Sequence, residues 1–175
     1  APSQGIIWRD NPKQIIETYI KWSKDDYAEN QITIVYDTMW NATRKMAEAI
    51  ARGIKSVDKD VDVKLYNAAL SDKNDVITEM FKSKGILVGS STVNKSIMSA
   101  TAGILDMIKG LGFKNKKAAA FGSYGWSGES VAMITERLKD AKIDVVNDGI
   151  RELWNPDKNA IENCVKFGRD FAESL

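Results

Sequence analysis

The sequence predicts an α/β protein: a five-stranded parallel sheet with helices on both faces. Three observations carry this. Short apolar or β-branched runs alternate with amphipathic stretches of helical length five times along 175 residues. The first such run, Ile32–Tyr36, passes through a short polar loop straight into a helix. The length suits one domain with a sizeable core.

Ahead of this alternation, residues Gly5 to Glu29 read as an N-terminal extension, so the expected division is residues 1–29 as linker and helix and 30–175 as the domain. Asn11-Pro12-Lys13-Gln14 predicts a helix start, with Asn11 as cap, proline in the first turn and Gln14 reciprocating. Ile15, Ile16, Tyr19, Ile20 and Trp22 follow at helical spacing. That face docks either on this domain or on a neighbouring one. The start, Ala1-Pro2-Ser3-Gln4, is polar and lacks methionine, which suggests a piece of something longer.

Strand one is Ile32–Tyr36; its helix places Met46, Ala47, Ile50, Ala51 and Ile54 on one face. Strand two, Val61–Tyr66, alternates apolar and polar and belongs near an edge. Val76, Ile77, Met80 and Phe81 mark the inward side of the next helix. Strand three is the apolar run Gly85–Gly89, followed by a helix from Ser99 to Lys109. Strand four is Lys117–Gly122, and its helix carries Val131, Ile134 and Leu138. Strand five lies within Ile143–Ile150. A last helix follows Asn155-Pro156, with Ile161, Cys164, Val165, Gly168, Phe171, Ala172 and Leu175 in one stripe.

Ligands of such sheets sit beyond the carboxyl ends of the strands. Three loops there carry the polar chemistry. The first runs Thr38-Met39-Trp40-Asn41-Ala42-Thr43 into a helix N-terminus, where unpaired N–H groups and the helix dipole favour an anion. Thr38 and Thr43 add two hydroxyls, and there is no Walker lysine or GxGxxG. The second runs Ser90-Ser91-Thr92-Val93-Asn94-Lys95-Ser96 and offers groups for a heteroaromatic edge. The third, Ser123-Tyr124-Gly125-Trp126-Ser127-Gly128, sets two aromatics among glycines, suited to a flat ring. Each alone is also what an ordinary βα turn or an aromatic cap provides. Their convergence on one sheet edge favours a nucleotide site.

Composition narrows the function classes. Lys+Arg 25 against Asp+Glu 24 gives net +1, so charge implies no nucleic-acid role. No apolar run approaches the ~20 residues of a membrane span. With no histidine and one cysteine, most transition-metal sites and any Ser-His or Cys-His pair are excluded. The lone cysteine also suits a reducing, cytoplasmic setting. Cys164 reads as buried packing. Electron transfer or binding needs none of the missing groups.

These residues carry a family resemblance. Val35–Thr43, Phe81–Gly89 and Ala120–Gly128 resemble the three FMN loops, with their strands, of the flavodoxin-like domain of flavodiiron proteins, the A-type flavoproteins that include flavorubredoxin-type nitric oxide reductases. Gly5–Pro12 is similar to the segment joining that family's metal domain to its flavin domain. The resemblance implies a flavodoxin-like three-layer sandwich with strand order 2-1-3-4-5. It implies FMN as cofactor, with Thr38 to Thr43 around the phosphate, Ser90 to Asn94 beside the isoalloxazine, and Ser123 to Gly128 closing its other side. It further implies an electron-transfer module fed by rubredoxin or a similar donor. The acceptor would be a diiron oxygen or nitric oxide reductase site in a β-lactamase-like domain absent here, so no metal catalysis is expected of this chain alone.

Several expectations attach to departures from the family pattern. Ser91 stands where proline is common, which loosens the middle loop, and Lys95 places a cation close to the pocket. A peptide turning beside the flavin, which glycine provides in single-domain flavodoxins, would centre on Asn94. Lys114, Lys116 and Lys117 form a basic knot that would steer an acidic donor. Trp8 and Trp22 would mark a surface covered by the neighbouring domain or by a second subunit of a homodimer. The alternative function is a free-standing FMN-dependent NAD(P)H oxidoreductase. A receiver-type signalling domain would need an acceptor aspartate after strand three, where Gly89-Ser90 stands.

Overall fold

The structure is a computed structural model that describes residues 5–24 and 26–175. The four residues at the start, Ala1 to Gln4, lie outside the described set.

Helix α1 (Pro12–Ser23) precedes the sheet. Then come β1 (Glu29–Asp37), α2 (Ala42–Val57), β2 (Asp62–Asn67), α3 (Lys73–Lys82), β3 (Ser83–Val93), β4 (Ser96–Ile97) and α4 (Ser99–Leu111). They are followed by β5 (Lys117–Tyr124), α5 (Ser130–Asp140), β6 (Asp144–Val145), β7 (Ile150–Leu153) and α6 (Lys158–Glu173). The sheet order is β2-β1-β3-β5-β6, and all of these pairs are parallel. β7 also pairs parallel with β5, beyond β6, so the two short pieces share the fifth position. This is the expected order 2-1-3-4-5, with the fifth strand broken in two.

The break follows from Asn147-Asp148-Gly149. Asn147 Oδ1 accepts the Gly149 N–H at 2.9 Å, and Gly149 sits at φ +81. This local turn competes with the ladder, and the strand resumes at Ile150, running past the expected limit to Leu153.

Each sheet face has its own core. On one, Val76, Met80, Ile104, Ile108, Ile134 and Leu138 from α3, α4 and α5 cover Val35, Ile86, Val88, Ala118 and Ala120. On the other, Met46, Ile50, Ile54, Cys164 and Phe171 from α2 and α6 cover Ile32, Ile34, Leu87, Ala119 and Phe121. Side chains alternate across a strand, so neighbours such as Leu87 and Val88 serve opposite layers. Cys164 is fully buried, and burial pushes its thiol up to about 12, which fits packing rather than redox chemistry.

α1 departs from the expected capping and from full docking. Asn11 occupies the cap position without a side-chain bond, and the first turn is held by Gln14 N–H to the Asn11 carbonyl at 3.2 Å. None of its residues is buried. Trp22 meets the edge of Phe81 at 5.8 Å, while Ile16, Tyr19 and Ile20 remain exposed. Among the described residues no helix is long and apolar enough to cross a membrane.

The basic knot is divided: Lys114 is exposed, Lys117 half-buried and Lys116 buried. It sits at the start of β5, the edge opposite the three polar loops. Lys116 is 3 % exposed, and its Nζ donates to the carbonyls of Phe81 and Ser83 at 2.6 Å each. Lys117 Nζ donates to the Ser174 carbonyl. Lys116 and Lys117 thus close the α3 and α6 C-termini, where carbonyls lack partners.

Candidate functional site

The parallel ladder brings Asp37, Ser90 and Gly122, and then Ser91 and Ser123, side by side at the carboxyl edge. The three loops therefore open together. Between them lies a cavity of about 650 Å³, lined by Met39, Trp40, Ala42, Ser91, Thr92, Ser123, Tyr124 and Gly125, together with Lys45, Trp154 and Asn155.

In the first loop Asn41 takes the left-handed conformation, φ +62, and makes no side-chain cap. The turn sends the chain abruptly into α2, whose first helix bond is Lys45 N–H to the Asn41 carbonyl. The opening N–H groups of α2 are thus left without a capping side chain, as an anion site requires. Thr38 Oγ1 is buried there with no partner. The Thr38 N–H donates to Asp37 Oδ1 at 2.9 Å, which fixes the loop's departure from β1. Burial raises the Asp37 carboxyl, and the Thr38 N–H opposes that rise.

Thr43 has a different part. It is wholly buried, and its Oγ1 bonds Ser91 Oγ at 3.0 Å and Ser123 Oγ at 2.8 Å. The two serine hydroxyls lie 3.2 Å apart. One hydroxyl from each loop thus forms a closed triangle beneath the cavity. Thr43 knits the loops, whereas the Thr38 hydroxyl has no partner.

The middle segment is less a loop than expected. β3 continues to Val93 and folds back as a hairpin onto β4, pairing Thr92 with Ile97 and Val93 with Ser96. Asn94 at φ +50 and Lys95 at φ +58 make its two-residue turn, the geometry that favours asparagine first. The expected looseness at Ser91 is absent. Ser90 Oγ accepts from Met98 N–H and donates to the Ser91 carbonyl, and Thr92 and Ser130 bond each other. Lys95 stands on the hairpin tip outside the cavity lining, and the Glu129 carboxyl is lowered chiefly by the Ser127 hydroxyl, with Lys95 adding least.

In the third loop the aromatics part company. Tyr124 lines the cavity and packs over Gly128, where a Cβ would come within 3.1 Å of the ring. Trp126 is 94 % exposed. Of the expected residues, Thr38, Asn41, Thr43, Ser90, Val93, Asn94, Trp126, Ser127 and Gly128 are not part of the cavity lining.

Three lining residues escape sequence reasoning. Trp154 follows β7 at φ +59, anchored by its N–H to the Tyr124 carbonyl at 2.7 Å, with its indole against Gly125. Asn155 Oδ1 accepts from Lys45 Nζ at 2.8 Å across 110 residues of sequence. The Asn155-Pro156 pair signalled only a helix start, which the structure caps with Asp157 Oδ1 on Ala160 N–H.

The cradle has the parts an FMN-sized group needs. An uncapped helix start and an unpartnered threonine hydroxyl suit a phosphate, hydroxyls line the middle, and Tyr124 and Trp154 give ring surfaces.

Comparison with known proteins agrees. The flavodoxin family profile matches residues 34–168. The anaerobic nitric oxide reductase flavorubredoxin of Salmonella typhi is 51% identical over 172 residues, 98% of this chain and 36% of the relative. The chain thus spans about a third of the length of the curated relatives it matches. The flavodiiron protein from Giardia intestinalis superposes with a TM-score of 0.91 at 31% identity, covering 97% of this chain and 42% of that one. Rubredoxin oxygen:oxidoreductase from Desulfovibrio gigas gives 0.88 at 30% identity with the same coverage.

Proposed function

This chain belongs to the flavodoxin family, and from that premise we propose that it is the FMN-binding electron-transfer module of a larger oxidoreductase. The observation that carries the reading is the uncapped α2 N-terminus, whose first residue Ala42 lines a cavity of about 650 Å³, with the unpartnered Thr38 hydroxyl in the loop leading to it. Bound FMN would supply one- and two-electron transfer, with potentials set by contacts at its ring.

The residues divide the work. Thr38 and the N–H groups opening α2 hold the phosphate. Ser91, Thr92 and Ser123 border the cofactor's middle, and Thr43 beneath them keeps the three loops in register. Tyr124 gives the ring a wall stiffened by its packing on Gly128. Trp40 on the cavity wall and Trp126 in the third loop, 84 % and 94 % exposed, offer ring faces that an approaching partner would cover, excluding water.

Rubredoxin or a similar donor is the proposed source of electrons, and a diiron oxygen or nitric oxide reductase centre in another domain their destination. The support is the likeness to a protein named flavorubredoxin and to a flavodiiron protein. Residues 1–29 serve as linker to that domain and 30–175 as the flavin module; the unburied apolar face of α1 supports this division.

Titration of the chain with FMN tests the reading. Quenched flavin fluorescence at a 1:1 end point, followed by reduction on mixing with reduced rubredoxin, is expected. Unquenched flavin would remove it. Steady turnover of NAD(P)H by the flavin-loaded chain would instead favour the free-standing oxidoreductase.

A further inference from the structure

Lys45 is the feature the flavodoxin reading does not absorb. It is the fourth residue of α2, in the helix's first turn, and it is one of the residues that line the cavity, with Met39, Trp40 and Ala42 from the same loop and helix start. Its Nζ donates to Asn155 Oδ1 at 2.8 Å, and it forms no ion pair among the described residues. An ammonium has three donors, so two stay available. The acids nearby are engaged elsewhere: Glu48 pairs with Arg44, and Asp157 caps α6.

Asn155 itself is held in place. Trp154 before it is fixed by its backbone bond to Tyr124 and by its indole on Gly125, and Pro156 after it is buried. The lysine head, itself exposed, is thus held at the cavity wall by a partner that is neutral and brings no negative charge to it. A phosphate monoester carries close to two negative charges near neutral pH. The helix end provides about half a positive charge, so more than half of the phosphate's charge is left for a nearby cation to offset. Lysine meets phosphate as a point charge and needs no fixed fork geometry.

We propose that Lys45, tethered by Asn155, is the counter-cation for the cofactor's phosphate and sets this chain's preference for FMN over unphosphorylated riboflavin. This rests on the FMN reading above. Lys45 acts on binding and selectivity and takes no part in electron transfer.

The test is titration of the flavin-free chain with FMN and, separately, with riboflavin, read by fluorescence quenching. Lys45→Met should weaken FMN binding by about tenfold, about 1.4 kcal/mol, while riboflavin binding changes by less than about twofold. Lys45→Arg should keep most of the preference. The salt dependence of FMN binding should be shallower in Lys45→Met than in the wild-type chain. Unchanged FMN affinity overturns the proposal. So does equal weakening of both flavins, which would make Lys45 a prop for the Asn155 loop. A wild-type chain that binds neither flavin overturns the FMN reading itself.

Discussion

The phenol ring of Tyr27 lies flat on Phe81, centroids 4.2 Å apart and planes 9° from parallel, and Lys116 Nζ sits 5.0 Å from the Tyr27 centroid. The same ammonium is 5.8 Å from the Phe81 ring and 5.6 Å from Phe113. Tyr27 belongs to the segment before β1, so this buried cation fastens the extension to the domain. Tyr27 Oη adds a bond to the backbone of Lys114 at 3.2 Å.

Lys116→Met should lower stability at pH 7 by about 1–3 kcal/mol, because the Phe81 and Ser83 carbonyls lose a buried donor. Urea unfolding measures this. A variant as stable as the parent would mean that shedding a desolvated charge compensates fully.

The same lysine gives a signed pH effect. Desolvation lowers its pKa from 10.5 to about 8. Between those values the unfolded chain binds more protons at this site than the folded one, so stability rises with pH across that window. Below pH 8 both states are protonated and the slope vanishes. The wild-type stability minus that of Lys116→Met should climb from pH 8 to 10. A difference that stays flat there would show that carbonyls and ring faces hold the proton as tightly as water does.

Thr43→Val should cost about 1–2 kcal/mol, since it breaks two of the three bonds in the hydroxyl triangle and leaves Ser91 and Ser123 with each other. Flavin affinity should fall with it. Thr43→Ser should recover both. Denaturant unfolding paired with FMN titration checks this; loss of affinity at undiminished stability would instead assign the Thr43 hydroxyl directly to the ligand.

The helical glycines divide by their surroundings. A Cβ on Gly53 would lie 2.0 Å from the Val165 carbonyl oxygen, and one on Gly168 would lie 2.1 Å from that of Ile50. α2 and α6 approach at these two points, and alanine at either should destabilise by about 2 kcal/mol or more. Gly103 in α4 meets nothing within 4 Å, so Gly103→Ala should stabilise by about 0.5–1 kcal/mol. Thermal melts of the three variants decide, and a stabilised Gly53→Ala would contradict the close approach.

Much of this was legible because local pattern and tertiary role coincide. Apolar runs became sheet centre, and the Thr38–Thr43 loop opens where a strand meets a helix. What stayed hidden depends on distance or on solvent. Lys45 and Asn155 meet across 110 residues, which no periodicity encodes. The sequence places Lys116 in a surface knot because lysine is seldom buried without an acid; carbonyls and ring faces take that place here. Ser90, Ser91 and Thr92 suggested a loop by polarity, yet they extend β3 because buried hydroxyls satisfy one another.

The interruption between β6 and β7 also bears on behaviour in concentrated solution. An outermost strand offers free backbone groups on which another molecule can add a strand. On this side the ladder comes as two residues, a four-residue interruption holding the Asn147–Gly149 turn, and four more, ended by the left-handed turn at Trp154. A strand added here would have to cross that interruption, so the kink that shortens the strand also works against self-association through that flank.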